Sequence, residues 1–176
     1  TAATVNTSFN VTKDAISLDV ANGSGAVIYR EGVNYTQLKG KVLDADRNNL
    51  AVSSGVNSSF WVTVNGTYFG SPVYNSTDSA GNTTYYFDPS CSNSVGQQRW
   101  RFAVYNDSCY YDAYSDVQNG NYSLNVTGQL KSSILLPPFG QNSSVSTSIL
   151  MSVNITSDCS VEQSIVNATT TIELMS

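Results

Sequence analysis

The chain has 176 residues, of which 12% are charged, with a net charge of −5, an isoelectric point near 4.4 and no histidine. So few cations argue against nucleic-acid binding, and the lack of histidine excludes Ser-His-Asp and Cys-His pairs as well as histidine-based metal sites. No apolar run approaches the roughly 20 residues of a transmembrane helix, so no membrane span is expected in the mature chain. No signal peptide is visible, so if the protein is secreted, this chain is expected to be its mature form.

The N-terminal segment 1–12 alternates between an apolar and a polar face, as a β-strand does. Its apolar face carries Ala3, Val5, Thr7, Phe9 and Val11. Two interpretations fit: the segment is the first strand of an intact sandwich, or it is an arm that adds a strand to a neighbouring subunit. The C-terminal run 166–174 alternates equally well and is the second candidate for a donated strand.

The rest of the chain consists of short alternating runs rich in Val, Ile, Thr, Tyr and Phe, without a helical period. In chain order, strands are predicted at 15–20, 26–30, 35–43, 60–68, 83–87, 98–105, 122–126, 131–136, 145–155 and 166–174. Strands of this length, separated by Gly, Asn, Ser and Pro, indicate an all-β protein with an Ig-like β-sandwich. We therefore predict an arm over 1–12 and a sandwich domain over 13–176.

Asparagines in N-x-S/T glycosylation sequons are the most distinctive feature of the chain. Fourteen of the 18 asparagines begin such a sequon, where chance would give about four. They are Asn6, Asn10, Asn22, Asn34, Asn57, Asn65, Asn75, Asn82, Asn106, Asn121, Asn125, Asn142, Asn154 and Asn167. This excess predicts an extracellular protein that carries covalent N-linked glycans and no other cofactor.

The three cysteines, Cys91, Cys109 and Cys159, fit an oxidising compartment, with one disulfide and one remaining thiol. Three pairings are possible. The pairing of Cys91 with Cys109 closes the shortest loop and is favoured on that ground, with Cys159 as the alternative partner.

No metal site is expected. The segment 44–49 resembles a calcium loop only loosely, because Asn49 stands where glycine is expected and Gly55 where the bidentate glutamate belongs. We interpret the segment as a polar turn.

An acidic and aromatic stretch is the strongest candidate for chemistry. It contains Asp107, Asp112 and Asp116 together with Tyr110, Tyr111 and Tyr114. Such residues could supply a glycosidase carboxylate pair or a sugar-binding platform, or could form a surface loop tied by Cys109. We favour the loop and predict no catalytic residues and no enzyme activity. Isopeptide bonds from Lys13, Lys39, Lys41 or Lys131 are conceivable, but no pair stands out.

The segment 40–87 resembles the Ig-like and prealbumin-like modules of surface proteins. A strand end reads GKVLD at 40–44, a strand reads VTVNGT at 62–67, and the start of a further strand reads TDSAG at 77–81. These motifs are common and cover about a quarter of the chain, so they imply fold rather than function.

As a whole, the chain resembles the subunits of archaeal thread filaments, which are thin glycosylated surface fibres. The resemblance rests on sequon density, all-β character and the alternating segment 1–12. It implies Ig-like pilins that polymerise head to tail with identical subunits by donor-strand complementation, on the cell surface, in adhesion or cell-cell contact. It favours segment 1–12 as a donated strand. The alternatives are a non-filamentous surface protein, such as an S-layer-associated module or a sugar-binding adhesin, and a secreted acid hydrolase.

Overall fold

The structure is a computed structural model that describes residues 9–116, 122–142, 144 and 148–159. Twelve strands lie in this part of the chain: β1 (Ile16–Asn22), β2 (Ala26–Tyr29), β3 (Thr36–Asp44), β4 (Leu50–Ala51), β5 (Asn57–Val62), β6 (Val73–Ser76), β7 (Asn82–Phe87), β8 (Gly96–Val104), β9 (Ala113–Tyr114), β10 (Tyr122–Thr127), β11 (Leu130–Leu136) and β12 (Ser152–Ser157). The predicted all-β class is confirmed.

Strands β1 to β10 form two sheets that pack face to face. In the first sheet, β3 is the central strand, and it pairs with β1, with β7 and with the short β4. The second sheet has the order β2-β10-β8-β5-β6, with β9 paired to β8. Strand β2 runs parallel to β10, whereas the other pairs in these two sheets are antiparallel. The opening strand therefore begins in one sheet as β1 and continues in the other as β2, beside the last strand of the sandwich, which is an Ig-like arrangement.

The crossing from β1 to β2 depends on glycine. Gly23 and Gly25 have φ angles of 99° and 75°, in the left-handed region that side chains with a Cβ rarely adopt. This turn lets one continuous stretch of chain serve both sheets.

The core forms where the predicted alternation placed it. Trp100, Phe102 and Val104 of β8 are fully buried, and Phe60 and Val62 of β5 lie beside them. Gly40 of β3 faces this cluster, and a Cβ at that position would lie 2.5 Å from the Phe102 ring. The lack of a side chain at Gly40 therefore lets β3 lie close to the Phe102 ring of β8.

Strand β8 defines two poles of the sandwich. Its nine residues span about 30 Å at roughly 3.3 Å per residue. At the end marked by Val104, the N-terminal segment joins the sandwich through a bridge between Asp14 and Tyr110, and we call this end the arm pole. At the end marked by Gly96, β10 leaves the sandwich, and we call this end the hairpin pole.

Strands β11 and β12 form a separate two-stranded antiparallel sheet beyond the hairpin pole. Every residue of β11 is exposed. The predicted range 13–176 thus contains a sandwich over β1 to β10, followed by this hairpin.

The disulfide joins Cys91 to Cys159, so the favoured pairing of Cys91 with Cys109 is wrong. Cys91 precedes β8 and Cys109 follows it. Since β8 is extended, the two residues closest in sequence lie near opposite poles. Cys109 is an exposed free cysteine.

Candidate assembly site at the two poles

Main-chain hydrogen bonds fix the base of the N-terminal arm. The amide of Asp14 donates to the Cys109 carbonyl at 2.8 Å, and the Tyr111 amide donates to the Asp14 carbonyl at 3.0 Å. Lys13 Nζ donates to the main-chain carbonyl of Asp107 at 2.6 Å. A hydrogen bond with the Asp46 side chain raises the pKa of Asp14, so the contact between these two carboxyl groups strengthens as the pH falls.

Beyond this base, the described end of the arm, residues 9–12, is exposed. Phe9 and Val11 are 86% and 84% exposed. Ala3, Val5 and Thr7, the remaining residues of the predicted donor face, lie outside the described residues, as does the alternative donor strand 166–174.

The hairpin and its connection carry seven exposed apolar side chains. They are Leu130, Ile134, Leu135, Leu136 and, in the connection between the strands, Phe139, Ile149 and Leu150. A two-stranded sheet is marginally stable by itself in water, and among the described residues the outer edges of β11 and β12 have no ladder partner. The hairpin therefore has both the apolar surface and the free edge that an added strand requires.

A buried ion pair fastens the hairpin to the sandwich. Arg30 follows β2, is only 2% exposed, and donates from Nη2 to Asp158 Oδ1 at 2.8 Å and from Nε to Asp158 Oδ2 at 3.3 Å. Its Nη1 donates to the Asn93 carbonyl at 3.3 Å. Together with the adjacent Cys91–Cys159 disulfide, Arg30 and Asp158 form what we call the clasp.

The clasp holds Asp158 in its charged form. The hydrogen bond from Arg30 lowers the pKa of the Asp158 carboxyl far below its ordinary value, with further bonds from the Gln129 amide and the Ser157 hydroxyl. Sequence analysis missed this pair. The available signal was an arginine at position 30, in phase with the buried Ile28 of β2.

The structure places the described sequon asparagines at the surface. Ten are exposed and Asn82 is half-buried, whereas Asn6, Asn121 and Asn167 lie outside the described residues. Asn93 is buried, and it belongs to no sequon. Surface placement is what attachment of a glycan requires.

The acidic stretch does not converge on one site. Asp107 is buried and accepts hydrogen bonds from the Asn57 and Cys109 amides, while Asp112 accepts one from the Asn106 amide. Asp116 pairs with Arg101 at 2.9 Å. Each carboxylate thus has a local structural partner.

Tyr114 belongs to an aromatic cluster on the outer face of the second sheet. The Arg101 guanidinium lies 4.4 Å from the Phe69 ring centroid, 5.1 Å from that of Trp61 and 5.3 Å from that of Tyr114. Asp116 completes the surroundings of this cation. The arrangement stabilises an arginine through cation–π contacts and presents a partly exposed aromatic surface.

Among the described residues, one group of three side chains has metal-ligand geometry: Glu31, Cys91 and Cys159. The disulfide occupies both sulfur atoms, and Glu31 Oε1 accepts the Cys91 amide proton at 2.9 Å. In the part of the chain that the structure describes, no helix has the length and apolar character needed to cross a bilayer.

No protein-family model matches the chain, and no curated protein matches it. Among solved structures, it is similar to the CARDB domain of a protein from Pyrococcus furiosus, crystallised in complex with di-metal ions, at 15% identity and a TM-score of 0.36. The match covers 68% of this chain and 95% of that domain. This likeness is too distant to carry an argument, so the architecture rests on the strand order and register of the chain itself.

Proposed function

We propose that this protein is the structural subunit of an extracellular filament that polymerises head to tail by donor-strand complementation. The arm 1–12 of one subunit pairs with the β11–β12 hairpin of the next. The observation that carries the proposal is the separation of the two surfaces: the exposed residues Phe9 and Val11 of the arm lie beside one pole, and the exposed apolar hairpin lies beyond the other.

This separation determines the kind of assembly. Donor and acceptor surfaces differ and lie at opposite ends, so the contact is heterologous and repeats without closing. Each added subunit presents a new hairpin, and the product is an open fibre of identical subunits.

Burial of the apolar face of the arm and new ladder hydrogen bonds would stabilise one joint. Burial of Val5, Phe9 and Val11 contributes roughly 1.5–3 kcal/mol per side chain. Each ladder hydrogen bond contributes roughly 0.5–1.5 kcal/mol, and the ordering of the arm opposes both terms.

The sequon pattern supports β11 as the acceptor edge. Of the edge strands, β1, β6, β7 and β12 each contain a sequon asparagine, namely Asn22, Asn75, Asn82 and Asn154, whereas β2 and the short β4 and β9 contain none. Between residues 126 and 141 there is none. Glycans on those four strands would block strand addition there, and of the edge strands without a sequon β11 is the longest, with all seven of its residues exposed.

The chemistry of the chain supports a surface location. A disulfide and dense sequons fit a secreted glycoprotein, and a filament of this type serves adhesion or cell-cell contact, as the resemblance to archaeal thread subunits implies. The proposal assigns no enzyme activity and no cofactor to the protein beyond covalent N-linked glycans.

Two charge substitutions test the proposal. Val11→Asp should disable the donor and leave the hairpin intact, while Ile134→Asp should disable the acceptor and leave the arm intact, because both residues are exposed in the monomer. We expect each variant alone to remain monomeric, and an equimolar mixture to form a dimer that does not extend, as measured by light scattering and electron microscopy.

Val33→Asp is the matched control, since Val33 is 99% exposed and lies outside both surfaces. It should polymerise like the wild type. Fibres formed by Ile134→Asp alone would place the acceptor elsewhere, and fibres formed by Val11→Asp alone would exclude the arm as donor.

A sugar-binding surface module is the second candidate, and the aromatic cluster around Arg101 is the observation that favours it. A monomer that binds glycan arrays through Trp61 and Tyr114, and that never forms fibres, would support this alternative.

A further inference from the structure

An open cavity of about 270 Å³ lies near the arm pole and is lined by three sequon asparagines. They are Asn57, Asn75 and Asn106, and two exposed tyrosines, Tyr74 and Tyr105, complete the wall. Each tyrosine directly precedes one of the asparagines in sequence.

Strand register brings these residues together. Ser58 of β5 pairs with Asn75 of β6 on one side and with Val104 of β8 on the other. Tyr105 and Asn106 directly follow β8, so the cavity spans three neighbouring strands. It is therefore part of the sandwich and does not depend on a single loop.

The asparagines differ in their hydrogen bonds: Asn57 and Asn75 donate through the side-chain amide, and Asn106 donates through the main-chain amide. Asn75 Nδ2 donates to the Thr84 carbonyl at 2.5 Å, and Asn57 Nδ2 donates to the Asn106 carbonyl at 3.5 Å. Asn106 is exposed, with its main chain at φ 54° and its amide bonded to Asp112 Oδ1. Asparagine tolerates this left-handed conformation better than most residues, so the turn displays the side chain at the rim of the cavity.

We propose that the glycan on Asn106 folds back into this cavity and that its first sugar rings stack on Tyr105 and Tyr74. The inference rests on the N-glycosylation included in the proposed function. The apolar face of a sugar ring fits a flat aromatic ring, and the tyrosine hydroxyls add hydrogen-bonding groups beside it. The glycan then acts as a structural part of the sandwich, covering β5 and the exposed edge strand β6.

A double-mutant cycle on the glycoprotein from its native host tests this inference. Ser108→Ala removes the Asn106 sequon and leaves the main chain of the turn in place, because Ser108 is exposed and its hydroxyl contacts the exposed Sγ of the neighbouring Cys109 at 3.5 Å. Tyr105→Ala removes the platform. We expect Tyr105→Ala to lower the melting temperature by about 2–4 °C with the glycan present, and by much less in the Ser108→Ala background.

Tyr74→Ala provides a second measurement and should show the same dependence on the sequon. Tyr29→Ala is the control, because Tyr29 is similarly exposed but lies at the hairpin pole, so its effect should not depend on Ser108. Equal effects of Tyr105→Ala in both backgrounds would overturn the inference.

Mass spectrometry of the native protein separates this inference from the polymerisation proposal. An unmodified Asn106 would refute the stacked glycan and leave the Val11 and Ile134 test untouched. The effect of Tyr105→Ala could instead depend on glycans in general but not on Ser108. That result would assign the cavity to the glycan of another sequon and would also refute the inference.

Discussion

At the scale of single residues, the clasp is the point where one substitution has the largest effect. Arg30 and Asp158 are both almost inaccessible to water, with exposed side-chain fractions of 2% and 3%. A buried pair contributes little net stability compared with an apolar pair of the same shape, but removal of one partner leaves the other charge without compensation. The consequence is local, because the pair connects the hairpin to the sandwich.

Asp158→Asn should therefore lower the free energy of unfolding by about 3 kcal/mol, measured by chemical denaturation of protein made in a host without N-glycosylation, because the substitution creates a sequon at 158–160. Asp19→Asn is the control, since Asp19 is exposed and accepts only the neighbouring Val20 amide. It should change stability by less than about 0.5 kcal/mol. Equal effects of the two substitutions would mean that the buried charge of Arg30 does not need Asp158 for compensation.

The pH dependence of the clasp follows from the lowered pKa of Asp158. A carboxyl whose pKa is lower in the folded than in the unfolded state stabilises the protein at pH values above the unfolded-state pKa of 3.8. This contribution is lost as the pH falls towards the pKa of the folded state. The stability difference between wild type and Asp158→Asn should thus be constant from neutral pH to about pH 4 and should shrink below it. A difference that already declined between pH 7 and pH 5 would contradict this assignment.

At the scale of elements, the hairpin is held by few connections. It forms no ladder with either sheet of the sandwich in the described residues, and Gly128 and Gln129 link it to β10. The disulfide closes a loop with a sequence separation of 68 from Cys91, ahead of β8, to Cys159, just after β12. A pulling force on a donated strand in the hairpin would reach the sandwich through this bond as well as through the chain.

Replacement of both Cys91 and Cys159 by serine should reduce stability by about 2–4 kcal/mol. Hydrogen exchange should show lost protection in β11 and β12 while β8 keeps its protection, because the core around Trp100 and Phe102 is unaffected. Cys109→Ser should leave both unchanged. Uniform loss of protection across β8 and the hairpin would indicate that the two unfold as one unit.

At the scale of the whole molecule, the two surfaces proposed to meet in assembly are almost free of ionisable groups. The arm 1–12 contains no charged side chain, and the segment 129–142 contains only Lys131. Apolar contacts and backbone hydrogen bonds respond weakly to screening and to protonation of carboxylates.

Assembled fibres should accordingly persist from pH 7 to pH 3 and in 1 M salt, as followed by sedimentation and electron microscopy. Fibres disassembled by high salt at neutral pH would show instead that charge pairs hold the joint. Val33→Asp fibres, whose added charge lies outside the arm and the hairpin, serve as the reference.

The sequence by itself determined the class and the phase of the strands. Alternation is a local property, because successive side chains of a strand point to opposite faces, and the buried sets on β5 and β8 follow from it directly. The surface position of sequon asparagines follows for the same reason, since Asn125 lies opposite the buried Leu124 and Val126.

Only the tertiary structure decided which distant residues meet. The disulfide partner of Cys91 depends on β8 being extended, so that short separation in sequence becomes long separation in space. The pairing of Arg30 with Asp158, and the convergence of Asn57, Asn75 and Asn106 on one cavity, depend on strand order and register. Alternation states which face a side chain takes but not which strand lies beside it, and for that reason these contacts were not available from the sequence.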